Sequence, residues 1–264
     1  MKVPIRMITV ATSLLWVILI IFSVSAIYSL KDIRLDIGRP QTTIARHNEL
    51  LVDFPIGIVN NGYYNLNDFN ISMEIHDVQK TVMAQGFTFI PVIKKDETLN
   101  TTNRMRMNLT DILQAHQNLI FNDTELQIND TVSMKTAGLI SLQVSSNLTM
   151  PWGAPLYNLT FEEPKFTVQV APNSTNYVRV TIPTTFENHA FFDLTGTIHV
   201  SIYNNRNIVT STGSIVLKAP QQSGYHADLE LDVPATGTTS NGHFEISFST
   251  SFFSYGPLVI QYGE

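Results

Sequence analysis

Ile58-Val59-Asn60-Asn61-Gly62-Tyr63-Tyr64-Asn65-Leu66 and Phe186-Glu187-Asn188-His189-Ala190-Phe191-Phe192-Asp193-Leu194 are two renderings of one phrase, 128 residues apart. Each ends an apolar run on an asparagine, turns, presents two adjacent aromatics and restarts at a leucine. Before the first phrase, Val52, Phe54, Ile56 and Ile58 alternate with Asp53, Pro55 and Gly57; after it, Phe69, Ile71, Met73 and Ile75 alternate with Asn70, Ser72, Glu74 and His76. A period of two describes a strand with one face buried and the other in water. The second phrase has the same flanks, Val178, Val180 and Ile182 before and Ile198, Val200 and Ile202 after. Asn61-Gly62 is a strong turn signal. Gly86 and Gly213 then recur at a spacing of 127. A shared order of strand, asparagine turn, aromatic pair, leucine and strand predicts a tandem repeat of one β-unit.

Outward from these phrases the alternation continues through Ala227, Leu229, Leu231 and Val233, through Phe244, Ile246 and Phe248, and into a last strand from Leu258 to Tyr262. The expected fold is mainly β: two antiparallel sandwich modules over residues 31–150 and 166–264, joined at 151–165. At the junction, Pro151-Trp152-Gly153-Ala154-Pro155 suits neither regular period. One stretch breaks the strand rhythm: Leu109, Ile112, Leu113, His116, Leu119 and Ile120 recur at three and four residues, predicting a helix over 109–120. Asn108 or Thr110 would cap it, and Asp111 would meet its N-terminal dipole.

Residues 7–30, from Met7 to Leu30, carry no charged side chain. As a helix they would extend about 36 Å, enough for a hydrocarbon core of about 30 Å. The expectation is a retained transmembrane anchor after a cytoplasmic tail of residues 1–6; the competing reading is a leader cleaved after Val24-Ser25-Ala26. Lys2 and Arg6 nearly balance Lys31 and Arg34, so charge orients the helix weakly. The folded mass beyond Leu30 therefore argues for a single-pass protein with its C-terminal ectodomain outside the cell membrane. Eight N-glycosylation sequons, at Asn70, Asn100, Asn108, Asn122, Asn129, Asn147, Asn158 and Asn173, fit that side. None lies in the last 89 residues, which predicts sugars on the first module and its junction and a comparatively bare surface around His226 to Asp232 and Phe244 to Phe248.

Without Lys2 and Arg6, 14 basic face 22 acidic side chains, a net charge of −8 that repels phosphate backbones and excludes nucleic acid as a natural partner. With no cysteine, disulfides, thiolate metal sites and cysteine nucleophiles are excluded. The seven histidines are scattered, and no His-Glu-x-x-His, phosphate-binding glycine loop or Gly-x-Ser-x-Gly elbow occurs. The expectation is no catalytic residue, no cofactor and no metal. His226, Asp228, Glu230 and Asp232 share one strand face, but steps of about 6.6 Å spread them too widely for one ion. Glu187, His189 and Asp193 form a smaller polar turn cluster. The side chains expected to meet a partner or fix the two modules are aromatic: Tyr63 and Tyr64, Phe191 and Phe192, and Trp152.

The chain resembles the group 2 late embryogenesis abundant family, also called the water-stress and hypersensitive-response domain. Ile33 to Pro40, Phe54-Pro55-Ile56-Gly57-Ile58-Val59-Asn60-Asn61, Val178-Arg179-Val180-Thr181-Ile182-Pro183 leading to Asn188, and the glycines Gly86 and Gly213 carry the resemblance, as two copies over Ile33 to Glu264. His189 and Ala190 depart from the family's usual Pro or Asn at those positions. The resemblance implies immunoglobulin-like or fibronectin-like sandwiches with a short helix, stress or membrane-associated roles, and no catalytic residue set. Anchored tandem copies of this kind look like archaeal surface proteins. The function expected is a noncatalytic, membrane-anchored extracytoplasmic protein that supports the envelope or presents a protein-binding surface. Its partners would be membrane lipids through the helix and an envelope or membrane protein. The alternatives are a lipid or apolar-ligand binding protein and an accessory subunit of a membrane complex.

Overall fold

The uncharged run forms helix α1 (Ile5–Ser29), followed by a 3-10 turn, Leu30–Asp32, and then by strands. These facts come from a computed structural model that describes residues 5–77, 79–170, 176–235 and 240–263. Along α1 the aliphatic side chains are bare; Leu15 and Ile21 are 62% and 63% exposed, so no protein core accounts for them. Among the described residues α1 is the one helix long and apolar enough to cross a membrane. A shielded stripe, Phe22, Ser25, Ala26 and Ser29, lies in its last two turns.

The remaining elements are β1 (Ile33–Ile37), β2 (Gln41–Ile44), β3 (Glu49–Asn60), β4 (Leu66–His76), β5 (Val82–Ile93), β6 (Glu97–Asn108), α2 (Leu109–Ala115), α3 (Asn118–Phe121), β7 (Thr124–Thr136), β8 (Ile140–Trp152), β9 (Tyr157–Phe161), β10 (Lys165–Val170), β11 (Asn176–Asn188), β12 (Leu194–Asn204), β13 (Val209–Ala219), β14 (Ser223–Pro234), β15 (Gly242–Thr250) and β16 (Ser254–Tyr262). They form four four-stranded sheets. In one, β3 is flanked by β1, β2 and β6; its partner sheet runs β5-β4-β7-β8. In another, β11 is flanked by β9, β10 and β14; its partner runs β13-β12-β15-β16. The chain is thus mainly β, with sandwich modules following an N-terminal helix.

Each sandwich closes on the faces that the alternation marks. In β3 every second residue from Leu50 to Asn60 is buried, and in β11 to β15 the buried set includes Val180, Ile182, Ile198, Val200, Leu231, Phe244 and Ile246. Gly86 opposes Met73 across β4 and β5, while Gly213 opposes Val200 across β12 and β13. Both glycines admit the facing sheet: a Cβ at Gly86 would lie 2.6 Å from Asn103 and Met105, and one at Gly213 3.3 Å from Leu231. The drop in spacing from 128 at the leucines to 127 at the glycines also has a cause. Asp68, at φ 50, is an extra residue where the β4–β7 register shifts, so the buried series runs Leu66, Phe69, Ile71, Met73. A one-residue bulge keeps the same side chains inward while displacing the count by one.

Two regions differ from the sequence expectation. The helix over 109–120 is broken into α2 and α3 because His116 leaves helical geometry at φ −123, ψ 67. Asn108 is its cap, with Oδ1 accepting from the N–H of Thr110 and Asp111, as a stable N-terminus requires. The strand β8 runs through Pro151 to Trp152, a position a proline tolerates because β8 is the edge of its sheet among the described residues. A further strand, β9, lies inside the expected junction.

By contacts the chain divides into two compact units. Met1–Thr43, Leu51–Arg106 and Gln127–Met150 form one; Ile44–Leu50, Met107–Leu126 and Pro151–Glu264 form the other. The short helices therefore belong to the second unit.

Candidate functional site

The two repeated phrases fold into matching turns, each organised by a fully buried asparagine. Asn60 ends β3, and its Nδ2 donates to the carbonyls of Tyr64 at 3.0 Å, Ile93 at 3.2 Å and Lys94 at 3.0 Å. Asn188 ends β11, and its Nδ2 donates to Phe192 at 2.9 Å and to Ala219 and Pro220 at 3.0 Å. Their Oδ1 atoms accept from the N–H of Gly62 and Ala190. An amide supplies both donors and an acceptor in one small side chain, which no aliphatic or hydroxyl residue does. Each asparagine thereby ties its own turn to the neighbouring β5–β6 or β13–β14 hairpin. The match extends outward: the N–H of Lys95 bonds Asn65 and that of Gln221 bonds Asp193, both at 2.9 Å.

What each turn receives is different. The first turn receives the end of α1: the Tyr63 N–H donates to Ser29 Oγ at 2.7 Å, the Tyr64 hydroxyl and Ser25 Oγ lie 2.7 Å apart, and Phe22 meets the Tyr64 ring edge-on at 5.9 Å. The Asn61 N–H closes on the Asp32 carbonyl at 3.1 Å. The second turn receives the segment after β8. The His189 N–H donates to the Ala154 carbonyl at 2.9 Å, and Trp152 meets Phe191 edge-on at 5.7 Å. Trp152 is only 2% exposed, and its indole N–H donates to the Leu119 carbonyl at 2.9 Å.

Around the second turn lies a polar cluster built on His189. His189 Nδ1 is 2.7 Å from Asp123, His189 Nε2 is 2.7 Å from Glu187, and the ring stacks on Tyr157 at 4.4 Å. The hydrogen bond to Asp123, then that to Glu187, raises the imidazole above its ordinary pKa. Both ring nitrogens are engaged by carboxylates. The carboxylates sit against opposite edges of the ring and do not converge on one point; among the described residues no group of three or more His, Asp or Glu side chains could hold a metal ion. Glu187 and His189 were legible as a pair in the sequence, whereas Asp123 arrives from the α3–β7 loop and Asp193 turns instead to Gln221.

The other predicted residues fall as follows. Tyr63 is 54% exposed, Tyr64 and Phe191 are half-buried, and Phe192 is buried against Phe252. Asp228, Glu230 and Asp232 face solvent on β14 as one stripe, but the cation beside them is protein: Arg179 lies across the strand, 2.9 Å from Asp232 and 3.8 Å from Glu230. The guanidinium hydrogen bond holds the Asp232 carboxyl below the usual range. Asn100, Asn108, Asn122, Asn129, Asn147 and Asn158 are exposed, Asn70 is half-buried with its Oδ1 enclosed, and Asn173 lies outside the described residues.

One feature had no sequence signal. On the flank of the second sandwich, the gap between edge strands β9 and β16 is an open apolar groove of about 540 Å³, lined by Phe121, Leu156, Leu159, Phe161, Tyr255 and Leu258 among others. Its walls come from three separate parts of the chain, so periodicity within any one of them is silent about it.

No family model and no curated protein matches the chain. Among solved structures it is similar to red sea bream transglutaminase, with 13% identity and a TM-score of 0.32 over 88% of this chain. It spans 31% of that protein's length, and a likeness this low carries no argument about chemistry. The bare apolar helix and the large β-sheet region after it describe a single-pass membrane protein whose C-terminal region is extracytoplasmic.

Proposed function

We propose that the protein is a noncatalytic membrane-anchored module that presents a protein-binding surface outside the membrane. The observation that carries this reading is the flank groove: an apolar trough bounded by two sheet edges, one of them β16, whose outer side pairs with no strand among the described residues. An extended peptide laid there gains backbone hydrogen bonds from the edge and pockets for alternate side chains. Both titrating nitrogens of His189 are engaged, which supports a structural rather than a catalytic role for the best polar cluster.

Binding of an apolar ligand or lipid is the second reading, favoured by the groove's aromatic and aliphatic lining and its size, within the usual range of ligand sites. A photo-crosslinking residue at Val259, which lines the groove, separates the two in native membranes; Val216, exposed on the far edge strand β13, is the control. Polypeptide adducts at Val259 alone support the first reading and lipid adducts the second. Equal, sparse labelling at both positions rejects a presented site.

The two sandwiches read best as tandem copies of one ancestral unit, since the matching turns, glycines and strand orders recur together. Membership of the group 2 late embryogenesis abundant family rests on the residue pattern alone, and with it an envelope-supporting role. Glycosylation is supported by exposure at six of the eight sequons, and site-resolved glycopeptide mass spectrometry of the native protein tests it.

A further inference from the structure

We infer that the first asparagine turn is itself seated in the outer membrane interface, so that the sandwich touches lipid as well as hanging from the helix. The inference rests on the retained-anchor reading and adds to it a lipid-facing site on the β-module.

Depth follows from the helix. Arg6 is the last charged residue before the uncharged run and Lys31 the first after it. The 24 residues between them rise about 36 Å, against a hydrocarbon core of about 30 Å. With the surplus shared between the two ends, the outer boundary falls near Tyr28, and Ser25 lies about 4 to 5 Å on its lipid side. Tyr64 reaches helix positions Phe22 and Ser25, both before that boundary. Its ring therefore occupies the layer where tyrosines of membrane proteins gather, and its hydroxyl is bonded to Ser25, as a polar group entering the apolar layer requires.

The turn cannot lift away while these contacts hold. A Cβ at Gly62 would lie 2.4 Å from Ser29 Oγ and 2.7 Å from the Ser29 carbonyl, so the helix and turn backbones are in contact. Tyr63, beside this contact, is exposed, and Tyr28 on the helix is 52% exposed with Lys31 over its ring at 4.4 Å. The β5–β6 hairpin brings Lys94 and Lys95 to the same end through Asn60 and Asn65. Asp32, Asp96 and Glu97 offset Lys31, Lys94 and Lys95, so the seat is aromatic and does not depend on acidic lipids.

The absence of cysteine makes the test clean. Single variants Tyr63→Cys and Lys95→Cys of the full chain would carry a nitroxide in phosphatidylcholine nanodiscs, with Gln221→Cys as the control. Gln221 holds in the second turn the place of Lys95 in the first, and the membrane helix contacts the first turn. Power-saturation spectroscopy compares collisions with oxygen, concentrated in lipid, and with a water-soluble nickel chelate. The expected result is an oxygen-to-nickel ratio at Tyr63 severalfold above that at Gln221, an intermediate ratio at Lys95, and no change when phosphatidylglycerol is added. Equal ratios at all three positions, in a preparation whose intact mass retains residues 7–30, overturn the inference. Protection of Tyr63 from both collision partners in native membranes also overturns it, in favour of a protein contact. An intact mass beginning at Ile27 instead removes the retained anchor, and the inference with it.

Discussion

The first and second asparagine turns share a skeleton and invert one detail. In the first, the turn carries the small residue, Gly62, and accepts the side of Ser29; in the second the turn has Ala190 and the incoming segment carries the small residue, Gly153, where a Cβ would lie 1.9 Å from the His189 carbonyl. Close backbone approach therefore occurs at both, but the residue that permits it sits on opposite partners. A turn of this kind is a general socket, and the plug decides what the module is attached to: a membrane helix in one case, a buried tryptophan segment in the other.

Truncating the plug of the second socket should have the largest effect. Trp152→Ala removes a fully packed indole and its bond to Leu119, and should cost about 3–5 kcal/mol in the urea unfolding of the second unit. The corresponding first-socket change, Tyr64→Phe, removes only a hydroxyl and should cost about 1 kcal/mol. Equal losses would mean that the packed Trp152 indole contributes no more to its unit than a single hydroxyl bond does.

The shared skeleton is tested next. Asn60→Ala and Asn188→Ala each orphan buried carbonyls on a neighbouring hairpin, and each should destabilise its own unit by about 2–4 kcal/mol. A loss confined to one of the two would break the equivalence of the hubs. Gly62→Ala should cost about 1–3 kcal/mol by forcing the helix end from the turn, whereas Ala190→Gly should change stability by less than about 1 kcal/mol. Hydrogen exchange reads the difference directly, because the Tyr63 amide is protected by Ser29 and should lose that protection in Gly62→Ala and keep it in Ala190→Gly.

The smallest effect is a pH dependence limited to the second turn. His189 is raised above its ordinary value, so the folded state holds the proton more tightly than the unfolded chain. Its contribution is fully present below the unfolded value of about 6.5 and is lost as pH rises through the folded value. The second unit's denaturation midpoint should therefore drift down above about pH 6.5, and His189→Gln should flatten that drift. The first socket has Asn61 at the matching place, which does not titrate. An unchanged slope in His189→Gln would assign the drift to other groups.

By itself the sequence determined the class of the protein: an uncharged span of membrane length, strands with one apolar face, and two asparagine turns. Those features are local. Period and spacing are written along the chain, and Asn60 and Asn188 sit at strand ends where the alternation stops. Only the tertiary structure decided what those turns do. Asp123 lies 66 residues from His189, Leu119 lies 33 from Trp152, and Ser25 lies 39 from Tyr64. Nothing in the pattern of either partner announces the other, because the pairing is made by sheets and helix ends converging in space. The groove between β9 and β16 is of the same kind, since a gap between sheet edges belongs to no strand's own sequence.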